Sequence, residues 1–301
     1  MNWRLKVAGF KALSALPGGK AFYRFAQKQI TGSIRPTQAR VNQKIEVGIR
    51  YFNWLREHGY RENLDGGIHL DFGAGWHPTI PLLFYSFGID RQFLFDISPL
   101  LDSELVQQTL AAFLSIVGEP RWPHRERLRR LPPPIRNRPW NDYLRELGIE
   151  YCAPYGPGWP TVAENVSVVS STQVLLYIPK PILEDCFAQI YTALGSGGVF
   201  LATVDLRNLV AGGHNYNHLR YPNEVWDRWV NSPLMSYNRM RAAEYSELLQ
   251  EAGFSLAGFD VEPATPEDFI TLDKIPVAPC FQRYSREELG AKHLFFAARK
   301  P

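Results

Sequence analysis

The chain has 301 residues, 45% of them hydrophobic and 21% charged, with a net charge of +3. That composition excludes a disordered or low-complexity chain, and no apolar run approaches the length of a membrane-spanning helix. Cys152, Cys186 and Cys280 cannot all pair and show no metal-ligand spacing, which excludes a disulfide scaffold and a cysteine metal site. A cytoplasmic setting without a secretory leader is the expectation, with no metal ligands and no dependence on divalent cations. The charge is uneven, however: from Met1 to Arg50 ten Lys or Arg residues stand against one acid, Glu46.

Taken in chain order, residues 3–16 read as a short amphipathic helix carrying Trp3, Leu5, Val7, Phe10, Leu13 and Leu16, stopped by Pro17-Gly18-Gly19. A second helix is expected over 20–30. A third is expected over 37–58, with Val41, Ile45, Ile49, Phe52 and Leu55 at helical spacing and Gly59 at its end. Together these form a basic N-terminal helical extension over 1–60, ahead of a main domain over 61–301. Basic residues interleaved with aromatics (Lys6, Lys11, Lys20, Arg24 and Lys28 with Trp3, Phe10, Phe22 and Phe25) suit a helix lying on an anionic bilayer, and equally a solvated or packed face.

The main domain opens with His69-Leu70-Asp71-Phe72-Gly73-Ala74-Gly75-Trp76-His77-Pro78. An apolar run leads into two glycines one residue apart, and a proline stands where a helix can begin. The pattern predicts a strand, a glycine turn, a helix over 79–87 ended by Gly88, and a second strand closing on Phe93-Leu94-Phe95-Asp96. This is half of a nucleotide-binding sheet, in which Asp96 would sit beside the turn and accept ribose hydroxyls. The dinucleotide fingerprint G-x-G-x-x-G would need a third glycine where Pro78 stands, which counts against a nicotinamide dehydrogenase.

Further along, a helix is expected from Asp102 to Val117, then a proline-rich basic loop over 119–139 carrying Arg121, Arg125, Arg127, Arg129, Arg130, Arg136 and Arg138. Strands are expected over 148–152 and 166–173. A helix over 182–194 leads to a turn at Gly195-Ser196-Gly197-Gly198 and a fifth strand over 199–204, ended by Asp205. A helix over 242–252 and strands over 255–261 and 292–299 close the chain. Strands alternating with helices in this way predict an α/β, doubly wound, mostly parallel sheet.

Asp71, Gly73 and Gly75 resemble motif I of the class I S-adenosylmethionine (SAM) methyltransferases, with His77 in place of that family's third glycine. Val174-Leu175-Leu176-Tyr177-Ile178-Pro179 and Leu194-Gly195-Ser196-Gly197-Gly198 resemble its "leucine-x-x-isoleucine-proline" and "leucine-lysine-proline-glycine-glycine" stretches, and the order of motifs fits across residues 68–205. Asn238-Arg239-Met240-Arg241 resembles the "asparagine-arginine-leucine-arginine" segment of bacterial members encoded with polysaccharide or glycolipid genes. The resemblance implies a seven-stranded Rossmann-like sheet with a closing antiparallel pair, SAM as cofactor, and a small-molecule or glycan-like acceptor. It implies a cofactor site of Asp71, Gly73, Gly75, Trp76, His77, Asp96, Ile97, Cys152, Ser170 and Ser171, with Asp96 on the ribose and Ile97 against the adenine. A protonated acceptor would need a general base, for which His77, His214 and His218 are the candidates, the last two just past the fifth strand. Peripheral contact with an anionic membrane is a further expectation, and no nucleic-acid partner is expected. A non-catalytic relative that binds a partner through its basic helices is the alternative.

Overall fold

Seven strands, β1 (Ile68–Phe72), β2 (Arg91–Phe95), β3 (Ile149–Cys152), β4 (Val166–Thr172), β5 (Leu194–Asp205), β6 (Ser255–Glu262) and β7 (His293–Arg299), form one sheet in the order β3-β2-β1-β4-β5-β7-β6. The structure is a computed structural model and describes residues 7–9, 11–12, 16–18, 34–60, 66–119, 131–132, 139–155, 164–207, 214–232 and 236–301. The helices expected over 3–16 and 20–30 and the basic loop over 119–139 therefore fall largely outside the described residues. No helix among the described residues is long and apolar enough to cross a membrane. The chain divides into two compact units, one of residues 34–172, 188–202 and 297–301, the other of residues 1–33, 173–187 and 203–296.

In the first unit β1 pairs in parallel with both β2 and β4, and β2 with β3. α1 (Gln38–Glu57) begins where the Thr37 side chain accepts from the Arg40 amide, capping an otherwise orphaned donor. Its buried face is Val41, Ile45, Gly48, Tyr51, Phe52, Trp54 and Leu55; Ile49, expected on that face, is only half-buried. α1 was expected in the N-terminal extension, and the compact unit that contains it also contains β1 and β2. α2 (Thr79–Ser86) is buried on nearly every side, which explains its almost wholly apolar sequence. α3 (Ser103–Val117) is capped by Asp102, whose Oδ1 accepts from the Leu105 amide at 3.0 Å. α4 (Trp140–Glu146) has no counterpart in the sequence reading, because seven residues after a proline are too few to show a helical period.

The glycine run that leads into β5 corrects the expectation of a turn. The strand is twelve residues long and already contains Gly195-Ser196-Gly197-Gly198. Gly197 has φ +76°, and a Cβ on Gly198 would lie 2.9 Å from the Val166 carbonyl oxygen. The glycines therefore let the backbone enter the sheet hard against β4, where a side chain would collide. The strand pairs there with the end of β7, the Gly197 amide donating to Lys300 O at 2.9 Å. The helix before it, α5 (Lys180–Ala193), starts two residues earlier than expected, with Pro181 taken into its first turn.

The second unit contains α6 (Asn223–Trp229), α7 (Ala242–Glu251), α8 (Pro266–Leu272) and α9 (Arg286–Gly290). α6, α8 and α9 are one or two turns long and escaped the sequence reading for the same reason as α4. β6 and β7 run antiparallel, joined where the Lys292 amide donates to Glu262 O. A core of Tyr216, Leu219, Leu272, Ile275, Phe281 and Leu289 fills this unit. The Asn238–Arg241 segment is its polar clamp. Asn238 Nδ2 donates to the carbonyls of Leu175 and Ile178, each at 2.8 Å. The Arg239 guanidinium lies between the rings of Trp226 and Phe281, 4.6 and 4.9 Å from their centres. Arg241, wholly buried, donates to the carbonyls of Leu206, Glu288, Leu289 and Ala291. These are the fixed, forked contacts that favour arginine over lysine.

At the edge of this unit His293 stands between two carboxylates, its Nδ1 2.7 Å from Glu262 Oε2 and its Nε2 3.5 Å from Asp205 Oδ2. Arg207 grips Asp205 through Nε and Nη2 at 3.0 and 2.8 Å. Asp205, then Glu262, hold the His293 pKa above its ordinary value against the cost of burial. Because the folded value is raised, the stabilisation is complete below the unfolded pKa and fades as pH rises through the folded one. Stability by chemical denaturation should therefore be fullest below the ordinary histidine value of about 6.5 and fall as pH rises above it, and His293→Gln should flatten that fall. An equally steep fall in the variant would assign the effect to another group.

Candidate functional site

The strand registers bring the expected site residues to one edge. Asp71 lies beside Ser170 across β1 and β4, Phe72 beside Phe95 across β1 and β2, and Phe95 beside Cys152 across β2 and β3. The carboxyl ends of the first four strands thus share one edge, at the point where the strand order turns between β1 and β4. A crevice outside the carboxyl ends at such a turning point is where open α/β sheets bind ligands.

Gly73 and Gly75 both have positive φ, +81° and +67°. That is the conformation a side chain resists. Space is not the constraint at Gly75, since a Cβ there would come no closer than 3.9 Å to the Gly73 carbonyl oxygen. The turn is tied to the end of β2, with the Gly73 and Ala74 amides donating to Phe95 O at 2.9 and 3.0 Å. Asp96 completes the tie, its Oδ2 accepting from the Gly75 amide at 2.9 Å and its Oδ1 from the Ser98 amide at 3.0 Å. Both carboxylate oxygens are oriented in this way, and each retains room for a further donor. Burial raises the Asp96 pKa, and the amides of Gly75, Ser98 and Ile97 and the charge of Lys44 oppose it. The next residue, Ile97, is 71% exposed although large and apolar.

The remaining expected residues fall around this frame. Trp76 is half-buried directly after the turn. His77 is buried, and its Nε2 lies 2.7 Å from Ile34 O, to which it donates; burial first, then Lys44, push its pKa down to about 4. The ring is therefore neutral and committed to Ile34, so His77 is unsuited to the general base considered for it. Cys152 is half-buried, and burial pushes its thiol up to about 11, which keeps it protonated at neutral pH. Ser170 and Ser171 are wholly buried, and Ser171 Oγ meets no partner among the described residues. His214 and His218 lie in the other compact unit. His214 is exposed, whereas His218 is buried in the turn Asn217–Arg220. Burial, then Arg241 and Arg239, hold the His218 pKa well below its ordinary value. No group of three or more His, Cys, Asp or Glu residues among the described residues could hold a metal ion.

Several residues of the site were not anticipated. Tyr51, from α1, donates its hydroxyl to Ser171 O at 2.9 Å and fixes the end of β4. Lys44, two turns earlier on that helix, reaches the His77 carbonyl at 3.5 Å; Asp71 and Asp96 favour its charge, while burial lowers its pKa. His69, Gln92 and Ser170 form a buried chain leading to Asp71. The His69–Asp71 part of that chain was legible, since alternate residues of a strand share a face. Tyr151, on β3, accepts from the Leu100 amide at 2.8 Å and donates to Ser98 O at 3.3 Å, which orders the backbone after Asp96.

No protein-family model matches the chain, and no curated protein matches it. Among solved structures, it is similar to magnesium protoporphyrin IX methyltransferase from Synechocystis PCC 6803 with bound SAH, at 12% identity and TM-score 0.49, over 94% of this chain and 99% of that one. It is also similar to an S-adenosylmethionine-dependent methyltransferase from Mesorhizobium loti, at 14% identity and TM-score 0.42, over 82% of this chain and 96% of that one.

The Tyr151 hydroxyl carries a local prediction. Tyr151→Phe removes one acceptor worth about 1 kcal/mol, so the Leu100 amide should exchange with solvent several-fold faster while the global unfolding transition changes little. An unchanged exchange rate at Leu100 would show that the tyrosine does not hold this loop.

Proposed function

We propose that this chain is a SAM-dependent methyltransferase acting on a small-molecule or glycan-like acceptor. The observation that carries the reading is the oriented Asp96 carboxylate, tied to a turn of two positive-φ glycines at the point where the strand order reverses. Its own residues fit such a cofactor. Asp96 presents lone pairs for a ribose diol, and exposed Ile97 offers an apolar surface to an adenine ring. Asp71, Gly73, Gly75, Trp76, His77, Cys152, Ser170 and Ser171 form the remainder of the proposed site. When bound, SAM supplies a methyl group on a sulfonium. The chain's contribution is to hold that group and the acceptor close and aligned, the larger part of catalysis for two reactants brought together.

A hydroxyl acceptor would have to lose its proton, and His214 and His218 are the proposed bases. Of the two, His218 lines a cavity of about 20 Å³ together with Asp205, Arg207 and Asn238. That volume admits a group the size of one water. The glycan-like acceptor rests on the resemblance of Asn238–Arg241 to the polysaccharide- and glycolipid-associated members. Peripheral contact with an anionic membrane from the cytoplasmic side rests on the basic excess in the first 50 residues.

Titration calorimetry with SAM tests the reading. The wild-type chain should bind, and Asp96→Ala should weaken binding by about 1.5–3 kcal/mol, the range for hydrogen bonds to a charged group. Equal affinity in the variant would remove the ribose assignment, and no binding by the wild type would remove the cofactor itself.

A further inference from the structure

We infer that His69, Ser170 and Asp71 form a single proton-sharing unit, in which His69 is a positioning residue that sets the charge of Asp71 through the Ser170 hydroxyl. The three side chains are buried, and Ser170 Oγ lies 2.8 Å from His69 Nε2 and 2.9 Å from Asp71 Oδ1. At the other end of the imidazole, His69 Nδ1 is 2.8 Å from Gln92 Oε1, and Gln92 Nε2 donates to the Pro81 carbonyl at 3.0 Å.

The proton count along this chain is fixed from its Pro81 end. A carbonyl only accepts, so the Gln92 amide must turn its NH₂ toward Pro81 and its oxygen toward His69. The Gln92 oxygen also only accepts, so His69 Nδ1 must carry a proton. In a neutral imidazole that leaves Nε2 as an acceptor, which requires the Ser170 proton. Ser170 then has no proton left for Asp71, and the 2.9 Å contact is a hydrogen bond only if Asp71 carries one and donates it. The alternative filling, a charged His69 with an ionised Asp71, holds the same number of protons. Both contain one more than a neutral histidine beside a carboxylate.

The surroundings decide between the two. Phe84 stacks on the His69 ring at 4.2 Å, and the ring has no solvent exposure. The loss of solvent disfavours an imidazolium, although the face of Phe84 favours one, and burial pushes the His69 pKa down to about 4 against the Gln92 hydrogen bond. The groups facing Asp71 are Lys44 from α1, Asp96 after β2 and Ser170 from β4. Burial pushes Asp71 up to about 6; Lys44 opposes this, Asp96 reinforces it, and the lowering by a Ser170 hydrogen bond applies to the ionised carboxylate and not to the protonated one. Below about pH 6 the extra proton therefore resides on Asp71, and Asp71 adds its own negative charge to the site only as that proton leaves. This proton count does not depend on the identity of the cofactor.

The test is a pH titration of the full chain by NMR, with ¹³C-labelled aspartate carboxyls and ¹⁵N-labelled imidazoles. The Asp71 carboxyl should titrate above the ordinary carboxylate range, His69 Nε2 should shift at that same midpoint, and His69 Nδ1 should stay protonated throughout. In Ser170→Ala the Nε2 response at the Asp71 midpoint should disappear, and a purely structural serine would not separate the two titrations. Asp71 titrating in the ordinary range, His69 titrating at a midpoint of its own, or His69 in the other tautomer would each overturn the inference. If the variant does not fold, the wild-type titration decides alone.

Discussion

The tie between the glycine turn and the end of β2 is the interaction on which the proposed site depends. Two amides of the turn donate to the Phe95 carbonyl and a third to the Asp96 carboxylate. A turn of this kind carries positive φ at Gly73 and Gly75, and a residue with a Cβ would meet a cost of about 1–2 kcal/mol at each. The glycines remove that cost, and the hydrogen bonds select one conformation from the many that glycine permits. The carboxylate that orders the turn is thereby ordered itself. A ligand that donates to Asp96 would find its acceptor oriented before it arrives, which limits the entropy lost on binding.

Around this tie the unit spends its buried polar groups on orientation. Tyr151 holds the chain after Asp96, Tyr51 holds the end of β4, and His77 is committed to the Ile34 carbonyl. Buried donors and acceptors left without partners would be costly, so each such group is a constraint as well as a contact. The second unit follows the same principle with different residues. Arg241 satisfies four backbone carbonyls, and Asn238 joins the segment before α7 to the loop after β4. The segment that resembles a subgroup signature therefore serves first as architecture, and any part it has in recognising an acceptor would be built on that.

Much of the sheet was legible because strand and helix periods are local. The glycine turn, the Asp102 cap and the closing strands follow from a few adjacent residues each. Gly195–Gly198 was misread because a glycine run marks a turn as well as a strand that enters a crowded edge, and only the neighbouring Val166 backbone distinguishes them. The short helices α4, α6, α8 and α9 lack the length for a period. In the site, Asp71, Gly73, Gly75 and Asp96 were legible from their places in the strands. Lys44 and Tyr51 were not, because they reach the site from a helix whose pattern reports only that one face is buried. His77 was legible as a residue of the turn, but the contact that occupies it is made with Ile34, 43 residues away in sequence.

The central claim is that a nucleoside binds in the crevice between the carboxyl ends of β1 and β4, with its ribose on Asp96. A crystal structure of the chain grown with S-adenosylhomocysteine addresses it most directly. The expected result is a ribose diol within hydrogen-bonding distance of the Asp96 carboxylate and an adenine ring against Ile97. A ligand bound elsewhere, or a crevice left empty at saturating ligand, would contradict it.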